Sequence, residues 1–173
     1  MVGKNTIGLQ SLFRTFQLSD GSLVNCQILD TAGLEQFNAI NESYYRNADC
    51  CLLVYDITER KSFEECKNYY SEKLNEYSKT IIKIVLLGNK TDLEEERKID
   101  SEEGANFAEE NNYIFMETSC KDNYNVADAF TSLVEMTNAE YKKKGIDITA
   151  RKKVRTKKNK IVKSELKKKS CCY

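Results

Sequence analysis

The 173-residue sequence predicts an α/β protein with a mainly parallel, doubly wound sheet. Three observations carry that expectation. Short, continuously apolar runs such as Cys50-Cys51-Leu52-Leu53-Val54-Tyr55 mark strands buried on both faces. Those runs alternate with segments whose apolar residues recur at helical spacing. The polar residues able to do chemistry follow directly after apolar runs, and in such sheets ligands sit at the carboxyl ends of strands.

Taken in order, the first six residues are too short to form an element. Residues 9–18 alternate in part, Ser19-Asp20-Gly21-Ser22 supplies turn chemistry, and residues 23–29 run on as a second strand, so a β-hairpin is expected. After the turn Asp30-Thr31-Ala32-Gly33, residues 37–47 read as a short irregular helix. Residues 50–55 are a doubly buried strand. Ser62 and Glu65 have the spacing of a capping box, and Phe63, Cys66, Tyr70, Leu74 and Tyr77 carry helical spacing beyond it. Residues 81–87 are a second doubly buried strand. A helix over 101–111, a strand over 113–118 and a long amphipathic helix over 126–141 complete the alternation.

Composition narrows the chemistry. The chain has no histidine, which removes the commonest general base and the commonest zinc ligand. No apolar run reaches the roughly 18 residues of a membrane span, and the N-terminus lacks the apolar core of a signal peptide. Seven cysteines without a C-x-x-C pair read as reduced cytosolic thiols rather than a disulfide framework. Lys+Arg and Asp+Glu balance at 27 each, but unevenly along the chain. Residues 142–173 hold 14 Lys/Arg against Asp147 and Glu165, whereas residues 1–141 hold 13 basic against 25 acidic side chains. An acidic folded domain over 1–141 followed by a flexible basic tail over 142–173 is expected.

Three strand-end motifs carry the chemistry. Asp30-Thr31-Ala32-Gly33 delivers a carboxylate to a strand end and a glycine N–H just after it, which suits a metal ion beside a phosphate. Alone, the tetrapeptide also fits the turns of aspartic proteases and ordinary loops. Asn89-Lys90-Thr91-Asp92 follows Leu86-Leu87-Gly88. The Asp92 carboxylate can accept from the adjacent ring N–H and exocyclic amine of guanine, a donor pair that adenine lacks. The Lys90 stem can lie over the base face and Asn89 can tie neighbouring loops. Glu117-Thr118-Ser119-Cys120-Lys121 closes the next strand, where backbone N–H groups of Ser119 and Cys120 could meet the guanine carbonyl and Lys121 cover the other face. Each motif alone also reads as a polar loop; the three in this order are far more specific.

On these residues the chain resembles the Ras superfamily of small GTPases and, within it, the Rab family. The resemblance covers roughly residues 6–141 and the tail, with Ser43-Tyr44-Tyr45-Arg46 and Leu53-Val54-Tyr55-Asp56-Ile57-Thr58 similar to Rab signatures. It implies the P-loop small-GTPase fold, GTP/GDP and Mg2+ as ligands, and a switch in vesicle traffic. By the same resemblance Thr6 would coordinate magnesium and touch the γ-phosphate, Asp30 would hold magnesium through water, and Gly33 would donate to the γ-phosphate.

Three departures bear on activity. Family members place a water-orienting glutamine after the Asp-Thr-Ala-Gly turn; this chain has Leu34, which neither donates nor accepts, and Gln36 lies two positions on. No catalytic residue is therefore expected intact, and hydrolysis is expected to be impaired. Leu9-Gln10-Ser11 stands where Rab proteins usually carry an acidic residue and phenylalanine, which bears on effector choice. The third is the largest. No G-x-x-x-x-G-K-[ST] phosphate loop with its strand and helix precedes Thr6; Gly3 and Lys4 read as a remnant of a removed segment, whether by splicing, gene loss or gene model. The base contacts, each worth about 0.5–3 kcal/mol net, fall short of the ~12 kcal/mol of nanomolar binding, so weak nucleotide binding is expected. A truncated isoform or pseudo-GTPase that binds partners without cycling nucleotide is the alternative.

At the other end, Cys171-Cys172-Tyr173 is not a C-a-a-X box, but paired terminal cysteines followed by one residue match the doubly geranylgeranylated Rab ending. Two lipids plus a polybasic stretch would attach the chain to the cytoplasmic leaflet of an intracellular membrane, alongside a cytosolic pool. The partners so implied are effectors, exchange factors, the escort protein and prenyltransferase, with the chain itself a monomer. Nucleic acid is not expected as a partner, because the body is acidic and lacks an aromatic stacking platform.

Overall fold

The computed structural model describes residues 10–30, 47–77 and 83–146. The expected helix over 37–47 lies outside them except for Asn47, as do Gly3, Lys4, Thr6, Gly33, Leu34 and the tail from residue 147, with Cys171 and Cys172. The first tail residues, Lys142 and Lys143, still belong to the last helix. The expected hairpin is present. β1 (Gln10–Gln17) pairs antiparallel with β2 (Leu23–Asp30) in a register running from Gln10 opposite Asp30 to Gln17 opposite Leu23. Gly21, at φ +80, supplies the left-handed residue of the connecting turn, and the Asp20 carboxylate accepts from the Ser22 N–H at 2.9 Å.

The other strands form a parallel sheet in the order β3 (Cys50–Asp56), β4 (Lys83–Asn89), β5 (Ile114–Thr118). Helices cover both faces, which is the doubly wound arrangement the sequence predicts. On one face a long helix, in the three parts α1 (Arg60–Glu65), a π-helical segment (Cys66–Tyr70) and α2 (Ser71–Tyr77), packs with α3 (Ser101–Glu110) over Leu53, Tyr55 and Leu86. On the other face α4 (Val126–Lys143) lays Ala129 and Leu133 against Val85 and Leu87. Alternation along β3 and β4 sends odd and even positions to opposite faces, and both faces are apolar, so the continuous runs follow. β4 is buried on both, whereas on β3 the expected double burial fails at Val54, which is 49% exposed.

Two expectations need correction. Ser62 does not cap a helix. The helix begins at Arg60, its N-cap Glu59 makes no side-chain cap bond, and Ser62 lies in the first turn with its hydroxyl donating to the Glu59 carbonyl at 2.8 Å. That hydroxyl also accepts from the Asp56 N–H at 3.0 Å, so the end of β3 has taken it over. The helix is not uniformly α either. The buried positions step from Cys66 to Ser71, five residues, and the π-helical turn absorbs the extra residue. Tyr70, expected on the core stripe, is only partly buried.

The hairpin belongs to its own two-stranded sheet, and no ladder joins β2 to β3 among the described residues. Both sheets rest on α4. Leu18 and Val24 pack on Val134, the Ser19 N–H donates to Glu135 at 2.8 Å, and the Tyr141 hydroxyl bonds Asp49 just before β3. β2 and β3 therefore both start against the C-terminal half of α4. Asp30 is the last residue of β2.

Candidate functional site

Asp56, Asn89 and Thr118 stand in register as the last residues of the three parallel strands. The Thr118 hydroxyl donates to the Asn89 side-chain oxygen at 3.2 Å, so Asn89 does tie neighbouring strand ends. Beyond it the chain turns sharply. Lys90 adopts left-handed backbone angles (φ 71, ψ 39), which costs a residue with a Cβ roughly 1–2 kcal/mol, and a 3-10 helix (Thr91–Glu96) follows. The turn is closed by the Leu93 N–H to the Lys90 carbonyl at 2.9 Å.

Asp92 is held from the neighbouring loop. Its Oδ1 accepts from the buried Ser119 hydroxyl at 2.7 Å, and its Oδ2 lies 3.4 Å from the Lys121 ammonium. The Ser119 hydroxyl bond in the first place, and Lys121 after it, hold the carboxyl below the usual carboxylate range against the opposing effect of burial. A charged acceptor is thus fixed at the strand ends. The loop behind it is stapled by the Ser119–Tyr124 bridge, by the Asp122 N–H donating to the Ser119 hydroxyl at 3.1 Å, and by Asn125 Nδ2 donating to the Glu117 carbonyl at 3.0 Å. Cys120 is exposed within that loop.

Lys90 extends to the end of β3. Its ammonium lies 2.5 Å from Asp56 Oδ2, and this bond pushes the Lys90 pKa up. Burial disfavours the charged form of Asp56, but Lys90 and two donors from Thr58 outweigh it and the carboxyl lies below its ordinary value. Asp56 and Arg97 are contributors that the motifs left out. Arg97 spans the back of the site, giving Nη1 to Glu117 Oε1 at 2.7 Å and Nη2 to Glu94 Oε2 at 2.7 Å, which ties the 3-10 helix to β5. In the sequence Asp56 stood out only as part of the Rab-like run over 53–58 and as the end of an apolar strand, with no site role attached; Arg97 had no signal.

The structure thus brings Asn89, Lys90, Asp92, Ser119, Cys120 and Lys121 together. The Ser119 N–H, however, expected to face a guanine carbonyl, is donated to the Tyr124 carbonyl at 3.1 Å, so Ser119 contributes its hydroxyl instead. Asp30 ends β2, on the other sheet. Of the expected phosphate and magnesium residues, Thr6, Gly33, Gly3 and Lys4 lie outside the described residues. The donor and acceptor set present fits a guanine base: a fixed carboxylate for the paired N–H groups, with a long aliphatic lysine stem on either loop. It does not fit a metal by itself, since no group of three or more Cys, Asp or Glu is placed to hold one among the described residues. A cleft of about 370 Å³ lies away from these residues, lined by Lys67, Asp100, Glu102, Glu103, Phe107 and Glu110; its acidic wall is unsuited to phosphate.

Comparison with known proteins gives the family. A family model described as the Ras family matches residues 2–139. Among relatives, the Ras-related protein RABA6b of Arabidopsis thaliana is 43% identical over 131 residues, covering 76% of this chain and 56% of the relative. The GTP-binding protein ypt2 of Schizosaccharomyces pombe is 42% identical over 142 residues, covering 82% and 68%. The Ras-related protein Rab-8A of Rattus norvegicus is 37% identical over 163 residues, covering 88% and 78%. The chain spans just over half the length of the two Arabidopsis relatives RABA6b and RABA6a, 56% and 55%.

Proposed function

The chain belongs to the Ras family of small GTPases, on its Rab branch, and we propose that it is a guanine-nucleotide-binding switch in vesicle-mediated membrane traffic. One observation carries the nucleotide reading: the Asp92 carboxylate, fixed by Ser119 and Lys121 beside Lys90 at the ends of parallel strands. A guanine ring set against that carboxylate exchanges the Lys121 ammonium for its own two N–H donors, and Lys121 is then released to cover the ring. Bound nucleotide with Mg2+ would bring the charge that Thr6, Asp30 and Gly33 sense, with Thr6 and Asp30 as the metal-side groups.

Hydrolysis is impaired in this reading because Leu34 cannot orient water. The 173 residues contain no G-x-x-x-x-G-K-[ST], so affinity rests on the base contacts and is weak, with Gly3 and Lys4 adding at most a point charge. Cys171 and Cys172 carry two prenyl chains, and the basic stretch before them holds the chain at the anionic cytoplasmic leaflet. Effectors, exchange factors, the escort protein and prenyltransferase are the partners, and the chain acts as a monomer. No described helix is long and apolar enough to cross a membrane.

The second reading, a pseudo-GTPase that keeps its partner and membrane contacts but does not cycle nucleotide, draws on the same two sequence features, Leu34 and the missing G-x-x-x-x-G-K-[ST]. Titrating the purified chain with GDP and GTP to millimolar concentration separates them. Saturable binding, weak as it is, supports the switch. A folded protein that takes up neither supports the second reading.

A further inference from the structure

Lys90 is committed to a carboxylate outside the base-recognition motifs, and that carboxylate is itself unusually well fixed. Asp56 Oδ1 accepts from the Thr58 N–H at 2.8 Å and from the Thr58 hydroxyl at 2.7 Å. Its N–H donates to the Ser62 hydroxyl at 3.0 Å, and its carbonyl accepts from the Glu59 N–H at 3.0 Å. The neighbouring Ile57 N–H donates to the Asn89 carbonyl at 3.0 Å, which pins this corner to the residue just before Lys90. The remaining oxygen, Oδ2, faces the Lys90 ammonium at 2.5 Å. The Asp56 side chain is 17% exposed and that of Lys90 51%, so a fixed acid grips a lysine that would otherwise sample many rotamers in water.

Three consequences follow from this geometry. Fixing a lysine side chain costs rotamer entropy, and here the cost is met on folding instead of on ligand binding. The stem of Lys90 is stretched between residue 90 and the end of β3, which makes an apolar strip rather than a roaming charge. The Lys90 charge is neutralised by its partner, so the side chain serves a base face and not a phosphate. We propose that Asp56, braced by Thr58 and Ser62, is a positioning residue of the base site that preorganises Lys90 for stacking on guanine. The proposal rests on the nucleotide reading given above and adds to it a fourth strand end, that of β3.

The test uses the full chain and a fluorescent GDP analogue titrated to millimolar concentration. Asp56→Asn keeps the shape and the acceptor for Thr58 but removes the charge that holds Lys90, and Lys90→Met keeps an apolar stem without an ammonium. Asp56→Asn weakens GDP binding about tenfold in the wild-type background and has no further effect in the Lys90→Met background. An equal loss in both backgrounds shows that Asp56 acts on the fold and not through Lys90, and overturns the proposal; so does no loss in either. A second measurement needs no nucleotide. NMR titration of the Lys90 ammonium in isotope-labelled protein gives a midpoint that falls on Asp56→Asn, and an unchanged midpoint overturns the proposal by itself. If the midpoint falls but the wild-type chain takes up no GDP, the nucleotide reading has failed and the positioning role fails with it.

Discussion

Gly104 lies inside α3, where alanine would ordinarily be the better helix residue by about 1 kcal/mol. The buried Tyr55 hydroxyl occupies the place a side chain would take, and a Cβ there would also stand 2.7 Å from the Phe115 ring. Overpacking of this kind costs about 1–3 kcal/mol, so Gly104→Ala lowers the denaturation midpoint despite the gain in propensity. Among the described residues the Tyr55 hydroxyl is the one buried side-chain polar atom without a hydrogen-bond partner. Tyr55→Phe is therefore tolerated and offsets part of the Gly104→Ala loss; urea unfolding of the single and double variants checks both signs. The acids at the site set a pH dependence. Asp56 and Asp92 have folded pKa values below their unfolded ones, so their contribution is complete above the ordinary carboxylate range near pH 4. It is lost as pH falls through the depressed folded values. Asp56→Asn makes the acid limb of the stability profile shallower, and a steeper limb would contradict the pairing with Lys90.

At the scale of elements, Arg97 is the tie between the 3-10 helix and β5, with its side chain 13% exposed. Arg97→Met leaves Glu117 without its cation and frees Glu94; discounted for partial exposure, the loss is about 1–3 kcal/mol by chemical denaturation. The loop carrying Asp92 loosens with it, so guanine binding falls while the β3–β4–β5 ladder stays intact. Period-two and continuous apolar patterns made the strands legible, and helical apolar spacing made α4 so, because burial on one face or two leaves a local mark. Ser62 misled for a physical reason: its hydroxyl bonds Asp56, a partner that local capping spacing does not reveal. The π-helical turn was hidden as well, since Tyr70 satisfies α-helical spacing while Ser71 takes the buried place. Asn89, Asp92 and Ser119 could be read because each follows an apolar strand directly. The Asp56–Lys90 pair could not, because it depends on the left-handed turn at residue 90, which no lysine announces.

For the whole molecule, two sheets share one helix, and their packing differs in depth. The parallel sheet is covered on both faces by Leu53, Tyr55, Phe63, Leu86 and Phe107 on one side and Val85, Leu87 and Leu133 on the other. The hairpin rests on the smaller cluster of Leu18, Val24 and Val134, with Phe16 and Cys26 at its edge. Hydrogen exchange should therefore find β3, β4 and β5 well protected and β1 and β2 opening first. Val134→Ala removes about 1–2 kcal/mol from the hairpin's docking and speeds exchange there, with little change in β4. Cys50, Cys51 and Cys66 lie within the deeper part, where burial pushes their thiols up to about 11, 12 and 12 and keeps them protonated. The central claim is that the ends of the parallel strands select guanine. Titration of the chain with GDP and with ADP, repeated on Asp92→Asn, tests it most directly. GDP is expected to bind at least about tenfold more tightly than ADP, a preference lost in the variant because an amide N–H2 then faces the guanine donors. Equal affinity for the two nucleotides, or a guanine preference that survives Asp92→Asn, would contradict it.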